Sequence, residues 1–287
     1  MKTPGSVFRR QSVQNKIKRV LGYTILIALS CIFLIPFVWS LSASFKSLLQ
    51  VYAVPPVWIP KPIHWENYVR IFKLLPLLRF FWNTIVITTL SVVGQILSAS
   101  LVAYAFARLR WPLRDFFFIL LLSTMMLPTQ VTLIPQFLLY QYLGWMDTYL
   151  PLIVPHFLGV SAFSIFLLRQ FFKSVPLELE EAARIDGSSF FRTFWTIILP
   201  LSKPALATIV ILTFIQKWNE FMPPLIYLQT YEKFPISLGI NMFKDVYSSL
   251  PHYIMATSMV ALVPILILFF VAQKYFVKGI MLSGLKG

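Results

Sequence analysis

The sequence has 287 residues, of which 58% are hydrophobic and only 12% are charged, and the apolar residues fall in long blocks. This composition excludes a water-soluble globular domain and indicates an integral membrane protein. The formal net charge of +15 would suit a nucleic-acid-binding protein. However, the basic residues flank apolar blocks instead of clustering with solvent-facing aromatic residues, so no nucleic-acid partner is expected.

Six apolar segments are long enough to cross a bilayer as helices, which takes about 20 residues. Their apolar runs are continuous, unlike the alternating strands of about ten residues that build membrane barrels. The predicted fold class is therefore an all-α polytopic membrane protein. The six predicted spans cover approximately residues 21–41, 81–105, 116–137, 150–168, 205–226 and 254–273.

The distribution of Lys and Arg predicts the orientation of the spans. Seventeen lie at the two termini and in the second-to-third and fourth-to-fifth connections, against seven in the other connections, and Lys217 lies inside the fifth span. Both termini are therefore expected in the cytoplasm. The predicted organisation is a cytoplasmic segment (1–20) and one transmembrane domain (21–287), with an outer loop near 42–79, a cytoplasmic loop near 170–204 and a C-terminal tail near 277–287.

Polar residues inside the spans mark candidate functional positions. Lys217 and Glu220 are three residues apart, so they share a helix face and can form an ion pair. Ionisable residues within a span face a cavity or a partner helix, and both interpretations stay open here. Lys217, Asn219 and Glu220, with Gln130 of the third span, either line a translocation path or support a contact between subunits. His156 is expected to be a hydrogen-bonded core residue.

The sequence contains no catalytic motif. No GxxxxGK[ST] phosphate loop and no HExxH motif occurs, the three histidines are far apart, and Cys31 is the only cysteine. We therefore predict no catalytic residue, no metal site and no cofactor bound by this chain. Uphill transport would need energy from another subunit or from ion coupling.

The connection between the fourth and fifth spans is the longest polar-bearing stretch on the predicted cytoplasmic side. A short helix is expected to stop at Gly187, since glycine adopts the left-handed conformation that closes a helix. Ser188 or Ser189 is then expected to cap a second helix, which Leu199-Pro200 ends. This pattern predicts a helix-turn-helix between two spans, in a shape that a partner outside the membrane can grip.

This connection resembles a known motif. Its residues Glu181-Ala182-Ala183, Asp186-Gly187 and Leu199-Pro200 are spaced as in the EAA loop of the permease subunits of binding-protein-dependent ABC importers. Agreement extends over nearly the whole chain. The outer-loop prolines, the Trp218-Asn219-Glu220-Phe221 stretch and the C-terminal end are similar to the carbohydrate branch, in particular the maltose-type permeases of six spans represented by the maltose transporter G subunit.

The resemblance implies an ABC importer permease fold that works by alternating access. It implies an ATPase-coupling loop formed by Glu181, Ala182, Ala183, Asp186, Gly187, Leu199 and Pro200, with the aromatic residues of the second short helix packed on the spans. It also implies a second permease subunit in a heterodimer, two ATPase subunits that bind ATP and Mg, and an extracytoplasmic sugar-binding protein, all at a bacterial inner membrane. The alternative is a self-contained secondary transporter that uses Lys217 and Glu220 for ion coupling.

Overall fold

The computed structural model describes residues 4–244 and 250–284, and the side chains of residues 16–244 and 250–273. The predicted C-terminal tail (277–287) falls outside the described side chains. The described α-helices are α1 (Pro4–Ser44), α2 (Leu48–Val51), α3 (Glu66–Leu74), α4 (Leu77–Arg108), α5 (Arg114–Ser123), α6 (Thr129–Tyr142), α7 (Leu150–Ile153), α8 (Ala162–Ser174), α9 (Glu178–Ile185), α10 (Phe190–Thr193), α11 (Leu199–Leu201), α12 (Lys203–Trp218), α13 (Met222–Tyr227), α14 (Ile236–Asn241) and α15 (Pro251–Gly284).

Four helical stretches of the described chain are long and apolar enough to cross a membrane, and two sharply bent helix pairs raise the number to six if each pair is one span. The four are Lys16–Ser44, Leu77–Arg108, Leu150–Ser174 and Pro251–Gln273, which contain the predicted first, second, fourth and sixth spans. The all-helical fold class is confirmed. The third and fifth spans differ in shape from the prediction.

The third span is not the single helix predicted over 116–137. It consists of Arg114–Met126 and Thr129–Tyr142, which meet at an angle of 101°. The bend lies at Leu127 and Pro128, where Leu127 takes an extended conformation with ψ of 119°. A residue before proline is driven out of the helical region by the proline ring, which explains why the helix breaks here.

The fifth span also differs, because its helix ends at Trp218 instead of continuing to 226. A short irregular stretch follows, and α13 begins at Met222 with Pro223 and Pro224 in its first turn. The two prolines have no amide protons for the carbonyls of residues 219 and 220, so a continuous helix loses two consecutive hydrogen bonds there. The helical stretch Phe190–Leu201 comes directly before α12 and makes an angle of 77° with it.

The chain divides into two compact units, Met1–Ile71 with Phe243–Val260 and Phe72–Met242 with Ala261–Gly287. In the first unit, the end of α1 is fixed to α3 by a buried amide. The Asn67 side chain donates to the carbonyls of Ser44 and Lys46, both at 2.9 Å. Lys46 is fully buried, with its Nζ 3.8 Å from the ring centroid of Trp39. These contacts order the beginning of the outer loop.

The core of the second unit lies where α4, α8 and α12 pack against one another. Small residues of α4 let the larger side chains of α8 and α12 approach closely. The buried residues of this core include Ala99, Ala103, Ile165, Leu168, Phe172 and Ile209.

Helix α4 also packs on the irregular first half of the fourth span through polar groups. Ser98 Oγ donates to the carbonyl of His156 at 2.6 Å, and His156 Nδ1 lies 2.9 Å from Gln95 Oε1. Gly94 is required by the close approach of Phe157, since a Cβ at this position would lie 2.5 Å from the aromatic ring. His156 is thus hydrogen-bonded, as predicted, but it is half-buried rather than part of the buried core.

Candidate functional site

The connection between the fourth and fifth spans begins with α9, which exposes one face and buries the other. Glu181 and Ala182 are exposed, and Ile185 exposes 88% of its surface. Ala183 and Glu180 are buried on the opposite face. Helix α9 therefore presents a carboxylate, a small residue and an apolar side chain to the surroundings, and the motif residues Glu181, Ala182 and Ala183 divide between its two faces.

Gly187 closes α9 in the predicted left-handed conformation, with φ of +78°. The amide of Gly187 donates to the carbonyl of Arg184 at 3.0 Å, and the amide of Ser188 donates to the carbonyl of Ala183 at 2.8 Å. No atom lies within 4 Å of a Cβ built on Gly187, so the backbone conformation and not the available space favours glycine. Asp186, just before it, is exposed.

The second short helix begins as predicted but ends later. The hydroxyl of Ser189 accepts a hydrogen bond from the amide of Arg192 at 3.3 Å, which identifies the N-cap. The prediction that Leu199-Pro200 ends this helix is wrong, because helical structure continues to Leu201 and the chain turns at Ser202. Residues Phe194–Ile198 form a π-turn. This wider turn accommodates Pro200, which has no amide proton for the carbonyl four residues earlier.

The aromatic residues of this second helix pack on the spans only in part. Phe194 and Ile198 are buried, and the ring of Phe194 lies 5.1 Å from that of Tyr104 in α4. Phe190, Phe191 and Trp195 remain exposed, contrary to the expectation that the aromatic face as a whole would pack inwards. Only one face of a helix can contact the core, and Phe190, Phe191 and Trp195 lie outside that face.

A buried ion pair that the sequence analysis missed ties α9 to two spans. Arg108 Nε lies 2.7 Å from Glu180 Oε1, and the two side chains are only 4% and 3% exposed. This contact is electrostatic rather than an aligned hydrogen bond. Arg108 Nη2 donates to the carbonyls of Phe172 and Val175 at 2.6 and 2.5 Å, at the C-terminal end of α8.

The Arg108 guanidinium thus joins the end of the second span, the end of the fourth span and α9. Helix C-termini carry unpaired carbonyls and a partial negative charge, so a cation is favourable at this place. In the sequence, Arg108 is one of the basic residues at the ends of spans that indicate their orientation, and nothing marks it as buried. The sequence does not show which of the adjacent Glu180 and Glu181 faces inwards. The available local signal is that Glu180 lies three residues before Ala183 and therefore shares its helix face.

A second cluster missed from sequence lies at the opposite end of the second unit. The Asp147 carboxylate accepts hydrogen bonds from the amides of Gln229 and Thr230 at 3.0 and 2.9 Å, and from Lys233 Nζ at 2.7 Å. Hydrogen bonding by Lys233 and then by Thr230 holds the pKa of Asp147 well below its usual range. These hydrogen bonds, here called the Asp147 clamp, therefore stabilise the fold at neutral pH, and this stabilisation is lost as the pH falls below the ordinary range of an aspartate pKa. The Asp147 clamp ties together two connections that are distant in sequence.

The candidate path residues lie apart from α9. Lys217 Nζ contacts Glu220 Oε1 at 2.7 Å, and their side chains are 7% and 13% exposed, so the predicted pair is confirmed. The helix ends between them, however, and the pair spans the break in the fifth span. Asn219 is exposed and donates to the carbonyl of Ile215 at 2.8 Å. Gln130 is exposed on the second half of the bent third span.

Comparisons with known proteins agree with this arrangement. The family model described as binding-protein-dependent transport system inner membrane component matches residues 95–282. The chain is 34% identical to the trehalose/maltose transport system permease protein MalG of Thermococcus litoralis, over 97% of this chain and 99% of that protein. It is 33% identical to the sn-glycerol-3-phosphate transport system permease protein UgpE of Brucella abortus (strain 2308), over 93% and 97%.

A solved structure has the same fold. It is that of a bacterial ABC transporter involved in the import of the acidic polysaccharide alginate, with a TM-score of 0.79, 27% identity, and coverage of 92% of this chain and 98% of that one. Similarity over nearly the full length to permease subunits of multi-component transport systems does not support the alternative of a self-contained secondary transporter. With its helical spans, its exposed α9 and this near-complete similarity, the chain belongs to the family of inner-membrane components of binding-protein-dependent transport systems.

Proposed function

We propose that this chain is the permease subunit of an ATP-driven carbohydrate importer, in which α9 docks on an ATPase subunit and moves the spans. The exposed face of α9 carries this proposal. Glu181 can pair with a basic residue of the ATPase, and the small side chain of Ala182 lets a partner surface approach closely. Ile185, 88% exposed, adds apolar area that water would otherwise cover.

Rigid attachment of α9 supports the same role. The buried Arg108–Glu180 pair holds one side of α9 to the second and fourth spans, and Gly187 fixes the turn into the second helix. Phe194 and Ile198 anchor that second helix in the core of the unit. Motion imposed on α9 is therefore passed to the spans, whereas a flexible linker would absorb it.

A carbohydrate substrate is supported by the relatives. One is named for trehalose and maltose, another for arabinooligosaccharides, and the structural neighbour imports alginate. The relative named for sn-glycerol-3-phosphate widens the class to small polyol phosphates. The proposed assembly comprises a second permease subunit in a heterodimer, two ATPase subunits that bind ATP and Mg, and an extracytoplasmic binding protein, with both termini of this chain in the cytoplasm.

Site-specific crosslinking tests the docking role of α9. Cys31 is the only cysteine, so Cys31→Ser gives a background without thiols. On it, Ala182→Cys is expected to crosslink to an ATPase subunit through a short cysteine–amine reagent, read as a product with the combined mass of both chains. Leu49→Cys, 86% exposed and predicted to lie on the outer side, is the control and should give no such product. An active transporter without a crosslink at 182 would refute the docking.

The break in the fifth span suggests a division of roles among the candidate path residues. The Lys217–Glu220 pair satisfies both charges internally, and the Glu220 carbonyl accepts from Ser237 Oγ at 2.7 Å. We propose that this pair fixes the break, while Gln130 and Asn219, which are exposed, contribute polar groups to the translocation path. Exposed polar side chains at membrane depth are expected to face a cavity or a partner subunit rather than lipid.

A double-mutant cycle tests this division. Lys217→Met leaves Glu220 without its partner and is expected to reduce the amount of assembled transporter severely, whereas Lys217→Met with Glu220→Met should recover much of it. Uptake per assembled transporter, measured in proteoliposomes, is expected to keep its KM in the double variant. A changed KM at normal assembly would place the pair in the path instead.

A further inference from the structure

An open depression of about 470 Å³ lies between the end of α4 and the start of α5. It is lined by Arg110, Trp111, Leu113, Arg114, Asp115 and Phe116. Since Arg108 links the end of α4 to α9, the depression is at the same end of the second unit as the proposed coupling loop. Neither the coupling loop nor the candidate path uses any of these residues.

Positive charge dominates the surroundings of the depression. Asp115 is the nearest carboxylate, and it is shared by Arg114, whose Nε is 3.1 Å away, and Arg169, whose Nη2 is 3.7 Å away. Arg110 also lines the depression, is exposed, and forms no ion pair with any side chain that the structure describes. Three cations thus accompany one carboxylate, which leaves a net charge of about +2 to attract an anion.

The basic side chains are held in place by the protein. Arg169 Nε donates to the carbonyl of Phe106 at 3.2 Å, and its guanidinium lies 3.8 Å from the ring centroid of Phe118. Arg114 Nη1 donates to the carbonyl of Leu109 at 3.3 Å. Arg114 and Arg169 are therefore held in place, and they supply a fixed positive field beside Arg110.

Apolar side chains surround the charged groups. Leu113 and Phe116 expose 67% and 59% of their surfaces, and the ring of Trp111 packs 5.5 Å from that of Phe106. Tryptophan is enriched where membrane helices meet the headgroup layer, and α4 and α5 are both parts of membrane spans. A ligand that fits must combine an anionic head with long apolar chains.

We infer that this depression binds the phosphate headgroup of an anionic phospholipid, with Arg110 as the phosphate-facing cation and Leu113 and Phe116 against its acyl chains. Guanidinium and ammonium groups both donate to phosphate oxygens, and basic pockets beside membrane helices suit anionic lipid headgroups. A soluble phosphate would satisfy the cations but would leave the apolar rim uncovered. The inference does not depend on the docking of α9.

Lipid retention by the complete purified transporter tests the inference. In native mass spectrometry, the wild-type assembly is expected to retain phosphatidylglycerol in preference to phosphatidylcholine with the same acyl chains. Arg110→Gln should weaken phosphatidylglycerol binding roughly fivefold, because a basic residue near a charged membrane surface contributes about this factor. Arg114 is left unchanged because it also supports the backbone at Leu109.

Lys203→Gln is the matched control, since Lys203 is exposed at the start of α12 but does not line the depression. It should leave lipid retention unchanged. Equal binding of the two lipids, or an equal loss in the control, would overturn the inference. So would displacement of phosphatidylglycerol by an equal concentration of glycerol phosphate, which would identify a soluble anion as the occupant. Loss of ATPase subunits from Arg110→Gln would overturn it in favour of a protein contact.

Discussion

Replacing Glu180 with Gln is expected to lower the thermal stability of the assembled transporter and to abolish most of its uptake. Glutamine keeps the size of the side chain but removes the charge, so Arg108 remains buried without a counterion. Removing one partner of a buried ion pair typically costs about 3–5 kcal/mol. The two carbonyls that accept from Arg108 compensate in part, because they favour the cation as well.

The neighbouring residue provides the control. Glu181→Gln makes the same chemical change one position along α9, but Glu181 is exposed and bears no internal partner among the described residues. Its thermal unfolding should match that of the wild type. Wild-type stability and uptake in Glu180→Gln would contradict the role of the pair. Thermal unfolding followed by intrinsic fluorescence, with ATP-driven uptake in proteoliposomes, measures both quantities.

A double replacement distinguishes charge from packing. Arg108→Met combined with Glu180→Met removes both charges together, and buried ion pairs replaced by apolar residues of similar size are often neutral for stability. The double variant is therefore expected to be more stable than the sum of the two single changes predicts. Uptake should stay low if the link to the carbonyls of Phe172 and Val175 is needed for transmission. Additive losses would show that the two side chains act independently.

Reversing the charge at Glu181 is expected to uncouple the transporter without unfolding it. Glu181→Lys places a cation on the exposed face of α9, where we propose that a basic residue of the ATPase docks. Juxtaposed like charges cost several kcal/mol, so ATPase association should weaken by roughly a hundredfold or more. Membrane insertion should be normal, because the residue lies between two spans.

Co-purification of the ATPase subunit and uptake in proteoliposomes measure this effect. Glu232→Lys is the matched variant, since Glu232 is also an exposed glutamate but lies in the connection between the fifth and sixth spans, which is predicted to be on the outer side. A lysine there makes the same charge reversal on the side away from the ATPase and should leave the ATPase bound. Normal uptake and normal co-purification in Glu181→Lys would exclude Glu181 from the docking contact.

Features encoded over a few residues were predicted well. The left-handed Gly187, the Ser189 cap and the Lys217–Glu220 pair each involve groups within three positions of one another, so local geometry determines them. The positions of the spans follow from the length of the apolar runs in the same way. The bend angles of the third and fifth spans could not be predicted from the sequence, because a proline indicates that a helix breaks but not the angle of the break.

Contacts between distant segments could not be predicted. Asp147 meets its partners 82 to 86 residues further along the chain, and its own neighbours give no sign of a clamp. Arg108 looked like any basic residue at the end of a span, although it is buried against Glu180 and the end of α8. The exposed Phe190, Phe191 and Trp195 have helical spacing, yet only packing decides which helix face meets the core.

Apolar length and local caps are properties of contiguous residues, so the sequence was sufficient to predict an all-helical membrane protein with a short helix-turn-helix between its fourth and fifth spans. Which of two adjacent glutamates is available to a partner depends instead on long-range packing. Glu180 is neutralised by Arg108 inside the protein, whereas Glu181, about 100° further round the same helix, faces outwards. That difference depends on where α4 and α8 end in space.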